Sequence, residues 1–392
     1  MRIAIVGAGI GGLSAAVGLQ RAGAEVTVFE RAPAVRAGGS GLSLFANGLK
    51  ALEALGLREE FETVTDRGVE GFTAGQRRAD GRWIARVPED AVGALRVVDR
   101  ADLHRLLLAG LTPDTVRTDA EAASATPLGA LTFRTDAAPP EAEERFDLII
   151  GADGLHSRVR PVVDGGRAGP QYAGYSAWRG ITSVPVDLSG QAGESVGHGR
   201  RFGIAPLADD RVYWFAVANM PEDAVFADEK STVEQMFAGW HSPIAELIAA
   251  TDAEAVRRTP IADLSSPLPR FQRGRIVLLG DAAHAMTPNL GQGGGQALED
   301  AATLTALLTP LLSGHTAGRR TDLDAVLHRY DALRRPRSQS IAKKSRFMGR
   351  VFQLESPLLA GARDAIFSAV PARLIAAQAA RVQRWSPPAP PR

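Results

Sequence analysis

Cysteine is absent from all 392 residues. Disulfides, thiolate metal sites and thiol nucleophiles are excluded with it, and no metal centre is expected. A surplus of either charge is also missing: 45 basic residues face 44 acidic ones, a formal net charge of +1. Nucleic-acid binders carry a basic excess or stripe, so no nucleic-acid partner is expected. No apolar run reaches the length of a membrane span. The chain runs from Met1 straight into Ile3-Ala4-Ile5-Val6, without the basic leader and cleavage site of a secreted precursor. The expectation is a cytoplasmic enzyme acting on a small molecule. The length suffices for two packed domains, or for one large domain with an insertion.

What is present starts at once. Ile3 to Val6 form a β-branched run suited to a strand buried on both faces. Gly7-Ala8-Gly9-Ile10-Gly11-Gly12 follows, then an apolar helical stretch to Arg21, then a second strand from Glu25 to Phe29 that ends at Glu30. Gly7 permits the tight turn, Gly9 lets a pyrophosphate approach the backbone, and Gly12 lets helix and strand pack closely. The helix N-terminus holds the phosphate charge, and Glu30 can accept hydrogen bonds from ribose hydroxyls. A glycine loop alone is weak, but here strand, helix and closing acid are all in place. It specifies an adenosine diphosphate and does not separate FAD from NAD.

Two later segments repeat the strand-to-glycine pattern. Phe146 to Ile150 leads into Gly151-Ala152-Asp153-Gly154, and Arg275 to Leu279 leads into Gly280-Asp281-Ala282-Ala283-His284. Strand C-terminal ends are where α/β sheets bind ligands. Ala297, Leu298, Ala301, Ala302, Leu304 and Leu308 predict a helix starting near Gly294 or Gly295 and running through Leu312. Residues 68–98 and 168–270 are richer in β-formers, aromatics and turns and read as a separate sheet, with strands at Gly71 to Thr73, Trp83-Ile84, Tyr175 to Thr182, Phe202 to Pro206 and Val212 to Val217. Arg334-Arg335-Pro336-Arg337 reads as a solvated helix end.

The three motifs, in this order, resemble those of the class A flavoprotein monooxygenases, the group of para-hydroxybenzoate hydroxylase-like hydroxylases, and of its compact single-component branch. The resemblance covers roughly residues 1 to 350. It rests on Gly7-x-Gly9-x-x-Gly12 with Glu30, on Asp153-Gly154 through Arg160, on Gly280-Asp281 through Pro288, Gly291 and Gly293, and on Arg100 with Leu103. It implies an α/β fold: a Rossmann-like FAD-binding domain (1–67, 99–167 and 271–335) with an inserted, mainly β substrate domain (68–98 and 168–270). C-terminal helices (336–384) and a disordered tail (385–392) complete the expected organisation.

The resemblance also implies the site. FAD is expected on Gly7, Gly9, Gly11, Gly12, Glu30, Arg31, Arg36, Arg100, Asp153, Gly154, Gly280, Asp281, Pro288, Gly291, Gly293 and Gly294. Asp281 is expected to reach the ribityl chain, and the helix start beyond Gly293 to face the pyrimidine edge of the flavin, where a helix N-terminus stabilises negative charge. Pro288 is expected beside the ring. Arg201 and Tyr213 match positions that line the substrate pocket in the branch containing the FAD-dependent urate hydroxylases, and His198 is a further candidate for proton transfer. Trp178, Arg179, Trp214 and Phe215 could wall the pocket, with core packing the other fate of the aromatic ones. Phe347, Val351, Phe352 and Leu354 could cap the pocket or make a dimer contact, so a monomer or a homodimer is expected. The implied reaction consumes NADPH or NADH as a transient reductant and inserts one atom of O2, through a C4a-hydroperoxyflavin, into a small aromatic or polycyclic substrate. At this stage a flavin-dependent reductase or dehydrogenase, and a non-catalytic FAD-binding sensor, stay open as alternatives on the same fold.

Overall fold

The computed structural model describes residues 1–35, 40–65, 71–87, 95–134, 143–313 and 323–389. Arg36 lies outside them. Among the described residues there are four sheets, of which the two largest organise the chain. The first has six strands in the order Gln272–Arg273, Ile276–Leu278, Leu148–Gly151, Arg2–Val6, Glu25–Phe29, Val116–Arg117. All pairings are parallel except the first. Ile3, Ala4 and Ile5 are wholly buried, in a core to which helix Ile10–Arg21 and the small antiparallel sheet of Ala122–Ala125, Ala130–Phe133 and Glu143–Arg145 both contribute, which is why the run is continuous rather than alternating. The three motif strands, Arg2–Val6, Leu148–Gly151 and Ile276–Leu278, are neighbours. Their C-terminal turns therefore line up along one edge of the sheet, although the segments are more than a hundred residues apart in the chain.

The second sheet has seven strands in the order Arg257–Leu264, Pro170–Ile181, Val212–Asn219, Arg200–Pro206, Gly193–Val196, Ala74–Arg78, Trp83–Val87. The stretch Gly71 to Thr73, expected as strand, contributes only a single bridge from Thr73 to Gln191, and the strand proper begins at Ala74. One face of this sheet is covered by the short helices Glu229–Met236 and Ile244–Ala249, with Trp178, Phe202 and Trp214 buried beneath them. The ribbon Gly41–Leu44 with Arg96–Asp99 lies at the other face.

Helix Gly293–Leu312 packs against helices Ile10–Arg21 and Ala46–Ala54, and the thirty-residue helix Leu323–Phe352 crosses behind it. The reading of Arg334 to Arg337 as a solvated helix end is corrected here. Pro336 lies inside the long helix and Arg334 is 1% exposed. Its guanidinium is drawn inward by two buried carboxylates, a pairing the local sequence cannot show. Helices Pro357–Ala369 and Ala372–Gln383 close the chain. Trp385, placed in the tail by the sequence pattern, packs against the main core.

Candidate active site

The first turn is built by steric exclusion. Gly7 has φ +106°, and a Cβ there would stand 2.5 Å from the carbonyl oxygen of Ala152. A Cβ on Gly12 would collide with the carbonyl oxygen of Gly7. Gly11 faces Leu279 and Ala297, so its task in the fold is packing. Gly9 differs: no described atom lies within 4 Å of where its Cβ would stand. It caps helix Ile10–Arg21 without a side-chain hydrogen bond, leaving first-turn N–H groups available to an anion. Glu30 ties this loop to the end of the second strand. Its Oε2 accepts from Ala8 N at 3.0 Å and its Oε1 from Ala32 N at 3.0 Å, and each oxygen keeps a lone pair for a ribose hydroxyl. His104, which the sequence reading passed over, sits buried behind the loop with Nε2 2.8 Å from Ala8 O. Arg31 and Arg100 are exposed nearby in the chain's fold, and Arg100 starts a helix capped by Asp99.

At the second turn, Gly154 has φ +77° and again open space. Asp153 accepts from Ser157 Oγ at 2.5 Å and from the N–H groups of Arg158 and Val159 at 2.6 and 3.2 Å, so its carboxylate shapes the turn itself. Arg160 is buried and donates to Leu155 O, Ala168 O and Ala282 O, which bolts the second turn to the third. The third turn passes through Gly280 at φ +58° and exposes the Asp281 carboxylate. Pro288 is exposed, Gly291 adopts φ +61° over the Phe45 ring, and Gln292 leads into helix Gly293–Leu312. Gly293 has open space, whereas Gly294 admits the Leu42 side chain of the ribbon. Gly9, Gly154 and Gly293 thus each present backbone without a side chain in front of it, and helices Ile10–Arg21 and Gly293–Leu312 begin there without a side-chain cap.

Behind the third turn lies a buried polar cluster. Asp300 Oδ2 accepts from Gly280 N at 2.9 Å and pairs with His284 Nε2 at 2.6 Å, while Oδ1 accepts from Arg334 Nε at 2.6 Å. Glu299 takes Arg334, Arg337 at 2.6 and 2.7 Å, and the amides of Asn47 and Gln296 at 2.7 and 2.8 Å. Asn47 also donates to Gln292 Oε1 at 2.9 Å, which carries the network to the start of the helix. Burial pushes the Asp300 carboxyl up, but His284, Arg334 and the Gly280 N–H outweigh it and hold it below the ordinary carboxylate range. Sequence reasoning missed the cluster. The available signal was two adjacent acids, Glu299 and Asp300, inside an otherwise apolar stripe from Ala297 to Ala302.

The second sheet supplies the opposite wall. Its register puts Tyr175, Arg179, Arg201, Tyr213 and Phe215 on one face and Trp178, Phe202 and Trp214 on the other. Of the aromatic candidates, then, Trp178 and Trp214 are core and Phe215 faces the site. Arg201 pairs with Val217 and Tyr213 with Ala205, so the two candidates stand four residues, about 13 Å, apart along the strands. Arg201 is 2% exposed and engaged through each of its nitrogens: it donates to Gln353 Oε1 and Asn289 Oδ1, both at 2.8 Å, and pairs with Glu194 at 3.1 Å. Asn289, next to Pro288, in turn donates to Tyr175 Oη at 2.9 Å. Phe352 is buried against Arg201, whereas Phe347 is exposed. Tyr213 packs on Gly41 of the ribbon, and Arg179 lies beside its hydroxyl. Burial pushes the Tyr213 phenol up, against the pull of Arg179, so it stays a neutral donor. His198 is exposed on the turn ahead of Arg200.

The three motif turns follow neighbouring strands of the first sheet, and the ribbon packs its Gly41 and Val97 directly on the Tyr213–Phe215 face of the second. A family model described as an FAD binding domain matches residues 1–345. The chain is 34% identical to aurachin C monooxygenase/isomerase of Stigmatella aurantiaca, over 99% of both chains. It is 36% identical to 3-amino-4-hydroxybenzoate 2-monooxygenase of Streptomyces cremeus, over 90% of this chain and 88% of that one. The crystal structure of Klebsiella pneumoniae HpxO complexed with FAD and uric acid superposes with a TM-score of 0.83 at 29% identity, covering 98% of this chain and 96% of that one.

Proposed function

Because this chain belongs to the FAD binding domain family and its relatives are FAD-dependent monooxygenases, we propose that it hydroxylates an aromatic or polycyclic substrate with one atom of O2, using NADPH or NADH as electron donor. The observation that carries the reading is that the three motif segments, with open backbone at Gly9, Gly154 and Gly293, follow neighbouring strands of the first sheet, and that the Pro288 loop of the third is tied through Asn289 to Arg201 and Tyr175 of the second sheet. A binder of NAD alone needs only the first of these turns.

The residues present fit FAD. The N-terminus of helix Ile10–Arg21 would take the pyrophosphate, Glu30 the adenosine ribose, Asp281 the ribityl chain and the N-terminus of helix Gly293–Leu312 the ring's polar edge. When bound, FAD supplies the redox chemistry and the activation of O2. The chain supplies position and dryness. Arg179 offers a guanidinium to an acidic or carbonyl oxygen of the substrate, and the Tyr213 phenol donates a hydrogen bond to it. Phe215 and the ribbon exclude water from the reacting face. Arg201, each of whose three guanidinium nitrogens has a partner, holds the Asn289–Pro288 loop against the sheet and is a positioning residue.

The test is substrate-stimulated oxidation of NADPH and NADH by the FAD-loaded protein, with a panel of aromatic acids, purines, quinolones and polyketides, and labelled O2 as the oxygen source. Label in the product supports oxygenation. Turnover without incorporation, for every substrate that stimulates oxidation, would leave only a reductase. Asn289→Ala is expected to lower product formed per NAD(P)H several-fold while FAD binding is kept, since the loop loses its anchor and the site its dryness.

A further inference from the structure

Helix Pro357–Ala369 is inside out. Its two charged residues, Arg363 and Asp364, are buried with Ala360, and Phe367 packs inward on Phe352. Arg363 donates to Phe352 O at 3.2 Å and to Asp364 Oδ1 at 2.8 Å, and Asp364 Oδ2 accepts from Arg78 at 3.1 Å. The outward stripe is Leu358, Leu359, Ala362, Ala365, Ile366 and Ala369, with no charge on it. Leu358 is 85% and Ile366 64% exposed. A surface helix of a globular protein puts its charges to water and its leucines to the core, and this one does the reverse. The next helix, Ala372–Gln383, turns away by 92°, buries no residue of its own and exposes Leu374.

The exposed charges around this face are mostly basic, with Glu355, just before the helix and hydrogen-bonded to Asn219, the one exposed acid beside it. From residue 356 to 389 the exposed charged residues are Arg373, Arg381 and Arg384, and the one acid, Asp364, is buried against Arg78. On the preceding helix Lys343, Lys344 and Arg350 are exposed around Phe347. A second copy of the same face, related by a two-fold axis, would set arginine against arginine. An anionic bilayer complements both features, taking leucines into the acyl boundary and arginines onto headgroup phosphates. No single described helix is long and apolar enough to cross a membrane, and the bend suits a pair lying in the interface plane.

We propose that helices Pro357–Ala369 and Ala372–Gln383 dock this protein on an anionic lipid surface, with Leu358 and Ile366 inserted and Arg373, Arg381 and Arg384 at the phosphates. The experiment is flotation of the FAD-loaded full-length chain with vesicles of phosphatidylcholine alone and of phosphatidylcholine with phosphatidylglycerol. Binding to the second kind only is expected, falling with salt. It should weaken by at least about tenfold in Leu358→Asp with Ile366→Asp, and again in the triple change of Arg373, Arg381 and Arg384 to Ala. Both variants change exposed residues, and unchanged FAD content and thermal midpoint show that they fold. Absence of flotation, or flotation that the variants leave unaltered, overturns the proposal. So does a concentration-dependent dimer in sedimentation that Leu358→Asp dissociates while vesicles go unbound, because the face then belongs to a second copy.

Discussion

Single glycines in this chain do two different jobs, and the structure tells them apart. Gly12 is required by the fold, since a methyl group there meets the Gly7 carbonyl, whereas Gly9 has free space before it. Gly12→Ala is therefore expected to lower the unfolding free energy by about 1–3 kcal/mol, the ordinary cost of overpacking. Gly9→Ala should leave it unchanged and weaken FAD binding instead. Chemical denaturation and fluorescence titration on both variants check this, and a Gly9→Ala protein that unfolds early would refute the distinction. His241 carries the clearest pH dependence. Burial holds its imidazole below the ordinary value, helped by Arg77 and opposed by the Ser242 carbonyl and by Asp80. Nδ1 donates to Ser242 O at 2.7 Å and Nε2 accepts from Ser195 Oγ at 2.6 Å, so the neutral ring is the one that fits. The unfolded chain takes up a proton near pH 6.5 and the folded chain only at lower pH. This contribution is present above about pH 6.5 and is lost as pH falls through the folded value. Urea midpoints at neutral and mildly acid pH should converge for wild type and His241→Gln as the pH drops.

Among elements, the helix Gly293–Leu312 decides most. Its N-terminus had to be aimed, and the aim comes from the cluster of Glu299, Asp300, Arg334 and Arg337 behind it. Charges this deep contribute little net stability as a set, but removing one partner strands the rest. Arg334→Met is expected to cost about 3–5 kcal/mol in a denaturation experiment, because Glu299 and Asp300 lose their shared cation. A loss below about 1 kcal/mol would show that the carboxylates are solvated or protonated instead. The helix itself was readable from its apolar stripe, starting within two residues of the expected place. Its acids were visible too, but their partner lay in a segment that read as solvated helix end. Only the crossing of the long helix behind the first brings Arg334 to Asp300.

At the scale of the whole molecule the two large sheets have separate cores and are joined by the ribbon Gly41–Leu44, the Asn289–Arg201 contact and the long helix. A ligand laid along the edge of the first sheet binds the folded form alone. FAD at a hundred times its dissociation constant should add about 2.7 kcal/mol, read as a saturable rise of several degrees in thermal midpoint. Gly9→Ala should blunt that rise without moving the midpoint of the cofactor-free protein.

By itself the sequence determined the dinucleotide edge. A tight turn, a helix start and a closing acid are local requirements, met by residues within a few positions of each other, and three such turns in order implied the family. Which residues face the substrate was decided only in three dimensions. Strand alternation could separate Trp178 and Trp214 from Arg179 and Phe215, but which face met the core depended on where the two short helices packed. The same holds for Arg201, which the resemblance put at the substrate pocket and the structure buries. Its burial follows from Glu194, Asn289 and Gln353, three residues brought together from distant parts of the chain, and no local spacing encodes such a meeting.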